Sequence, residues 1–193
     1  YMNVIQHAWI GYNFDEQQQA KIGVTQVPFG LLTYASNNYF FSSNFYLGLE
    51  DDHDMGLNYT YKGDNNQFDF AFYKNDEQGG IDGFVSDRTD RYAYDVVGIR
   101  LDGEDAYDAP SDGYAAGEVN TFNARYAHTF AFNDVSVELG ASLQAGQLEI
   151  ENGTDGDNVA AAIHSVINYD RWNVKLQMTD YKYDVDGMDV DRI

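Results

Sequence analysis

Residues 122–132 read FNARYAHTFAF, and residues 135–145 read VSVELGASLQA. A period of two places alternate side chains on opposite faces of a β-strand. In the first run one face is small and polar, and the other carries Phe122, Ala124, Tyr126, His128, Phe130 and Phe132. Only Asn133 and Asp134 separate the two runs, which is typical of a tight turn. The runs therefore predict long paired strands whose apolar face covers either a protein core or a lipid bilayer.

Six further segments show the same alternation, and they comprise residues 4–14, 20–29, 55–61, 68–72, 159–169 and 172–178. The short, turn-like connectors between runs are residues 15–19, 63–66, 133–134 and 170–171. The long connectors are residues 30–54, 75–118 and 151–158. Short connectors on one side and long ones on the other are typical of an up-and-down barrel in an outer membrane, whereas the Greek-key links of a soluble sandwich do not sort loop lengths in this way.

Aromatic residues gather at the predicted strand ends, and they are Tyr12, Phe14, Tyr59, Tyr61, Phe130, Phe132, Tyr169 and Trp172. This placement matches the two interfacial girdles of a membrane barrel. We therefore predict an all-β fold: a transmembrane up-and-down antiparallel β-barrel with about eight spanning strands in a single domain over residues 1–193. Because the chain opens inside a periodic run and ends just after an acidic stretch, we expect these strands to be part of a longer barrel.

One further segment, residues 92–101, also has the composition of a strand. If it spanned the membrane, the next short turn would fall on the wrong side. We therefore interpret it as part of a long extracellular connector over residues 76–117. The alternative, in which it spans and residues 102–117 cross to the other side, stays open.

The net charge is −21, which argues against a nucleic-acid partner because phosphate binding needs clustered Lys and Arg. The chain has no cysteine, in keeping with a secreted or envelope protein without disulfides. The sequence lacks a Gly-x-Ser-x-Gly elbow and a metal-ligand spacing among its histidines, which are His7, His53, His128 and His164. We therefore do not expect an enzyme.

Residues 23–30, Gly-Val-Thr-Gln-Val-Pro-Phe-Gly, resemble a strand-end element of Gram-negative outer-membrane porins of the phosphate-selective O/P family. Residues 39–54 are similar to the porin loop that follows, and residues 120–132 with 135–150 are similar to the repeated hairpins of that family. Gln26 stands where the motif usually carries Lys. Since the chain is also strongly acidic, phosphate selectivity is not carried over.

The resemblance implies a 16-stranded, usually homotrimeric barrel with a water-filled pore, of which the strands of this chain would form about half. It implies an integral protein of the cell outer membrane of a Gram-negative bacterium. The expected partners are outer-membrane lipid and lipopolysaccharide, together with small hydrophilic solutes or ions.

Charged side chains that face lipid at mid-bilayer would cost about 2–4 kcal/mol, so they should point inward. The predicted pore-lining residues are Lys21, Thr25, Gln26, Arg125, Glu138, His164 and Lys175. Residues 31–53 are long enough to fold inward as a constriction loop. The acids expected to face Lys21, Arg125 and Lys175 across that constriction, and so to favour cations, are Glu50, Asp51, Asp52 and Asp54. The alternative is that this acidic run faces the exterior solvent.

These observations predict a diffusion porin that passes ions and small hydrophilic solutes down their gradients, with a preference for cations or neutral solutes. One alternative is a barrel without a pore, such as an adhesin or a structural protein. Another is a soluble, calcium-dependent, carbohydrate-binding β-sandwich. No cofactor is expected, but calcium bound by acidic loops stays open because residues 102–105, 108–112 and 152–158 supply oxygen ligands and glycine.

Overall fold

The computed structural model describes residues 7–32, 49, 52–76, 116–150 and 155–185. These residues form eight β-strands: β1 (Ala8–Asn13), β2 (Gln18–Gln26), β3 (His53–Lys62), β4 (Asn66–Asp76), β5 (Ala116–Phe132), β6 (Val135–Ile150), β7 (Asp155–Tyr169) and β8 (Trp172–Val185). Among the described residues there is no helix of the length and apolar character that a membrane crossing requires.

The strands form one sheet in which each strand pairs with its sequence neighbour, in the order β1-β2-β3-β4-β5-β6-β7-β8. Every pairing is antiparallel. The predicted all-β, up-and-down antiparallel arrangement of eight strands is confirmed at this level. The four short turns allow this order because antiparallel neighbours need only a few connecting residues.

Several of the predicted boundaries change, and most strands are longer than the predicted runs. The connector between β6 and β7 is shorter than the predicted 151–158, since β7 already begins at Asp155 and Glu149 pairs with Asp155. The predicted constriction loop 31–53 ends where β3 begins, at His53. Residues 92–101 lie outside the described residues, as does most of the predicted connector 76–117.

The two faces of the sheet differ sharply in polarity. Cross-strand partners share a face, so a row of side chains can be followed from strand to strand. One such row is Lys21, Asn58, Ala71, Asn123, Gln144, Ala160 and Tyr181, which is mostly buried and largely polar. The adjacent row on the opposite face is Ile22, Leu57, Phe72, Phe122, Ala145, Val159 and Lys182, which is mostly apolar and exposed. The sheet therefore buries its polar face and exposes its apolar face.

The polar face is concave. The backbone N–H of Leu31 donates to Oε1 of Gln177 on β8 at 2.8 Å, although Leu31 follows the end of β2 by only five residues. Five residues reach roughly 17 Å. In a flat sheet β2 and β8 would lie roughly 29 Å apart, which even the added length of the Gln177 side chain would not bridge. The sheet must therefore curl around residues 27–32, and we call the polar side the concave face and the apolar side the outer face.

The short turns at the two ends of the sheet lie at different levels along the strand direction. The line of partners that starts at Gln18, the first residue of β2, ends at Met178 on β8. However, β8 begins six residues before Met178, at Trp172. The β7–β8 turn therefore lies roughly 20 Å further along the strand direction than the β1–β2 turn. This offset is the stagger that a sheet of tilted strands requires.

A hydrophobic cluster lies on the concave face at the end of the sheet that bears the long connectors. Its members include Val27 and Phe29 after β2, Leu49 before β3, and the strand residues Tyr73, Leu148, Tyr181, Tyr183 and Val185. The sequence pattern did not predict this cluster, since it placed apolar side chains on the other face. It forms because the β2–β3 connector brings its own apolar residues inward.

Candidate functional site

A cluster of charged and polar side chains occupies the middle of the concave face, and we call its four residues, Asp69, Arg125, Glu138 and His164, the Arg125 cluster. Glu138 is half-buried and the other three are buried. Nη1 of Arg125 lies 3.4 Å from Oδ2 of Asp69, and Nη2 lies 3.4 Å from Oε1 of Glu138. Nε2 of His164 lies 3.2 Å from both Glu138 and the guanidinium. The guanidinium fork suits this role because its fixed donors can serve several acceptors at once.

The register of the sheet explains how these side chains meet. Asp69 on β4 pairs directly with Arg125 on β5, so the two share the concave face. His164 on β7 pairs with Gly140 on β6, where a Cβ atom would overlap the imidazole ring. Glycine at position 140 therefore gives the His164 ring the room to reach Arg125 and Glu138.

Residues 27–32 cross the concave face, and we call them the crossing segment. The backbone N–H of Gly30 donates to Oγ of Ser142 at 2.9 Å, and the Gly30 oxygen accepts from Nε of Arg125 at 2.8 Å. Gly30 has a φ of 58°, in the left-handed region that glycine adopts most readily. Side chains from β5, β6 and β8 thus satisfy backbone groups that have left the sheet.

The start of the crossing segment is fixed from two sides. The N–H of Val27 donates to the backbone oxygen of Asp52 at 2.9 Å, so the two ends of the β2–β3 connector pair with each other. Oη of Tyr73 donates to the backbone oxygen of Gln26 at 3.0 Å and lies 3.0 Å from Oγ1 of Thr25. The segment therefore leaves β2 in a defined direction, toward the Arg125 cluster.

The structure brings together three of the seven predicted lining residues, namely Arg125, Glu138 and His164. The others are dispersed along the sheet. Lys21 and Thr25 line the β2 side, where Nζ of Lys21 lies 4.8 Å from the centre of the Trp9 ring. Lys175 is half-buried on β8, in the row that contains Glu138. Gln26, the last residue of β2, lies on the same side of the sheet and lines the same space as Lys21 and Thr25.

The four acids of the predicted constriction divide into two groups. Glu50 and Asp51 lie outside the described residues. Asp52 and Asp54 are buried, and their carboxylate oxygens lie within 4.8 Å of each other and of Glu118 on β5. Asp54 belongs to β3 and not to the connector. The carboxylates beside Arg125 are instead Asp69 and Glu138.

Sequence reasoning did not identify Asp69 and Glu118 as site residues. For Asp69 a signal was present, since it stands between Phe68 and Phe70 and therefore on the polar face of β4. For Glu118 the signal was weak, because a register shift between Val119 and Phe122 breaks the alternation that would have assigned its face.

Two cavities accompany these contacts. A polar cavity of about 460 Å³ lies on the concave face, with both signs of charge in its wall, contributed by Lys21, Lys62 and Asp69. An apolar groove of about 590 Å³ lies along the outer face and is lined by residues that include Phe70, Phe72, Phe122, Leu143 and Val159. The polar cavity suits hydrated solutes, and the groove suits hydrocarbon.

Comparison with protein-family models, with curated proteins and with solved structures finds no match to this chain.

Proposed function

We propose that this chain forms part of an outer-membrane β-barrel of the porin type, whose concave face lines a water-filled channel. The observation that carries the proposal is the polarity of the two faces. Twenty-two large hydrophobic side chains are exposed among the described residues, including Ile22, Phe122, Leu143, Ile163 and Met178. Soluble monomers rarely expose apolar patches beyond roughly 600 Å², whereas a lipid-facing band requires them.

The dimensions of the outer face agree with a bilayer. On β5 the apolar band runs from Phe122 to Phe132, which is roughly 33 Å along the strand. The stagger of roughly 20 Å across the six strand spacings from β2 to β8 corresponds to a tilt of roughly 35°, within the range of known barrels. At that tilt the band is roughly 27 Å tall, close to the roughly 25 Å of an outer-membrane barrel.

Polar residues mark the limit of that band on the side of the long connectors, on the strands β4 to β6. Immediately above Phe72 and Phe122 the outer face carries Lys74 and Asn120, which are joined by a hydrogen bond of 2.6 Å. Asn120 in turn donates to Gln147 at 2.6 Å. A hydrogen-bonded chain of this kind suits the level of the lipid headgroups, where polar atoms meet water.

The proposed mechanism is passive diffusion. Solutes would move through the wet space beside the crossing segment, which narrows the channel between β2 and the Arg125 cluster. In the Arg125 cluster the two carboxylates, Asp69 and Glu138, outnumber the one guanidinium, and such an excess of acid favours cations over anions. The preference for cations or neutral solutes follows from this excess of acid. We further propose that the protein forms a homotrimer in the outer membrane, where it contacts lipid and lipopolysaccharide.

The test is electrical recording from the full-length protein in planar bilayers. We expect stepwise conductance and, under a salt gradient, a reversal potential of the sign that cation selectivity produces. An anion-selective reversal potential would contradict the proposed selectivity. Heat-modifiable migration of the same preparation on a gel would separate a membrane barrel from a soluble β-sandwich.

A second candidate function is a barrel without a pore, with a structural or adhesive role. The hydrophobic cluster around Phe29, Leu148 and Tyr181 favours it, because apolar side chains fill one end of the concave face. Small barrels are filled by their own side chains in this way. Normal heat-modifiable folding of the full-length protein without any stepwise conductance would support this candidate over the porin.

A further inference from the structure

Three carboxylates converge on the concave face near the long connectors. Asp52, Asp54 and Glu118 are 4%, 1% and 3% exposed, and one oxygen from each lies within 4.8 Å of the other two. Calcium binds oxygen ligands at roughly 2.3–2.6 Å, so two oxygens on one ion lie at most about 5 Å apart. The spacing of the three carboxylates therefore fits a single ion between them.

A second observation lies beside Glu118. Gln144 donates from Nε2 to both Glu118 oxygens, at 3.0 and 3.1 Å, and Asn158 also donates to this carboxylate. The amide oxygens of Gln144 and Asn158 have no hydrogen-bond partner among the described residues, although these side chains are only 2% and 1% exposed. Buried polar atoms are normally satisfied, and a bound ion or water commonly explains an exception.

The chemistry of this donor set selects the class of ligand. Carboxylate and amide oxygens are hard donors, and calcium and magnesium prefer such donors over nitrogen or sulfur. Two of the carboxylates come from the end of the β2–β3 connector and the start of β3, while Glu118 comes from β5. This mixed, loop-linked origin suits calcium, which accepts irregular coordination more readily than magnesium does.

We propose that Asp52, Asp54 and Glu118, with the amide oxygens of Gln144 and Asn158, form a binding site for a divalent cation of the calcium type. These ligands differ from the acidic loops in which the sequence allowed calcium. The backbone oxygen of Asp52 holds Val27, so an ion here would fasten the base of the crossing segment to β5. The site would thereby fix the narrow part of the concave face.

Terbium is the probe that tests the site, because it replaces calcium and emits when a nearby tyrosine is excited. Tyr181 lies in the same cross-strand row as Gln144 and can serve as the donor. In the full-length protein in detergent we expect saturable terbium emission that calcium displaces, with a dissociation constant of about 0.1 mM or tighter. Asp54→Asn and Glu118→Gln should each weaken terbium binding at least tenfold.

The matched control is Asp157→Asn, which removes an exposed acid on β7 next to Asn158 and should leave terbium binding unchanged. Heat-modifiable migration on a gel tests whether each variant still folds. A further variant, Gln144→Leu, changes no charge and should weaken terbium binding about threefold. Equal binding by all four variants and the parent would overturn the proposal and assign the emission to surface acids. The site does not depend on conduction, so a protein that binds calcium without forming channels would retain it.

Discussion

Nε of Arg125 donates a hydrogen bond of 2.8 Å to the backbone oxygen of Gly30, a residue 95 positions earlier in the chain. The same guanidinium contacts Asp69 and Glu138 on the neighbouring strands. The crossing segment is therefore attached to a group that the sheet itself holds in place. Any change that frees Arg125 should affect the sheet and the crossing segment together.

The first prediction concerns Arg125 itself. Arg125→Gln should lower the free energy of unfolding by about 3–5 kcal/mol, because Asp69 would keep a buried charge without its partner. Equilibrium unfolding by urea in detergent measures this change. Arg171→Gln is the control, since Arg171 and Asp170 form an exposed pair at the β7–β8 turn, and it should leave stability unchanged. Equal effects of the two substitutions would argue against a structural role for the Arg125 cluster.

The second prediction concerns Gly30. Gly30→Ala should destabilise the protein by about 2–3 kcal/mol, because an alanine at a φ of 58° is strained and its Cβ would overlap the Gln177 amide and displace it from its hydrogen bond with Leu31. Gln177→Ala should remove the overlap but not the strain. In a double-mutant cycle measured by urea unfolding, Gly30→Ala should therefore cost only about 1 kcal/mol when Gln177 is already Ala. Strictly additive effects would mean that the crossing segment does not rest on Gln177.

The sheet could be predicted from the sequence because the turns and the alternating pattern that specify it involve residues close together in the chain. Asn133 has φ of 47° and Asp170 has φ of 50°, conformations that Asn and Asp tolerate in tight turns. Such turns fix the pairing of Phe132 with Val135 and of Tyr169 with Trp172, and alternation then assigns the faces of those strands as far as the register shift between Val119 and Phe122. Strand existence, order and polarity thus follow from neighbours in the chain.

The candidate sites were less predictable because their contacts are distant. The Gly30–Arg125 contact joins residues 95 apart, and the approach of Glu118 to Asp54 depends on how far the sheet curls. Alternation could place Arg125, Glu138 and His164 on one face, but it could not show that they touch. The inward hydrophobic cluster was missed for the same reason, since it is built by a connector and not by a period of two.

The third prediction tests which medium the outer face meets. Leu143→Lys should lower folding stability in lipid vesicles by about 2–4 kcal/mol, because Leu143 lies within the apolar band. Asn173→Lys introduces the same charge at an exposed concave-face position near a short turn, and it should be tolerated. Denaturant titration of the vesicle-inserted proteins gives both values. If the two variants proved equally stable, the outer face would not be in contact with lipid.

The fourth prediction addresses charge selection at Lys21, which lines the polar cavity together with Asp69. Lys21→Glu changes the local charge by two units. For a monovalent ion about 7 Å from this side chain in water, the interaction energy changes by about 1.2 kcal/mol, and screening by salt reduces this to about half. Because the substitution favours a cation and disfavours an anion by this same energy, the ratio of cation to anion permeability should rise about eightfold, as measured from reversal potentials in planar bilayers. Lys74→Glu is the matched control, because Lys74 lies exposed on the outer face beside Asn120 and the same charge change there should leave the ratio as it was. A larger change for Lys74→Glu than for Lys21→Glu would place the permeation path away from the concave face.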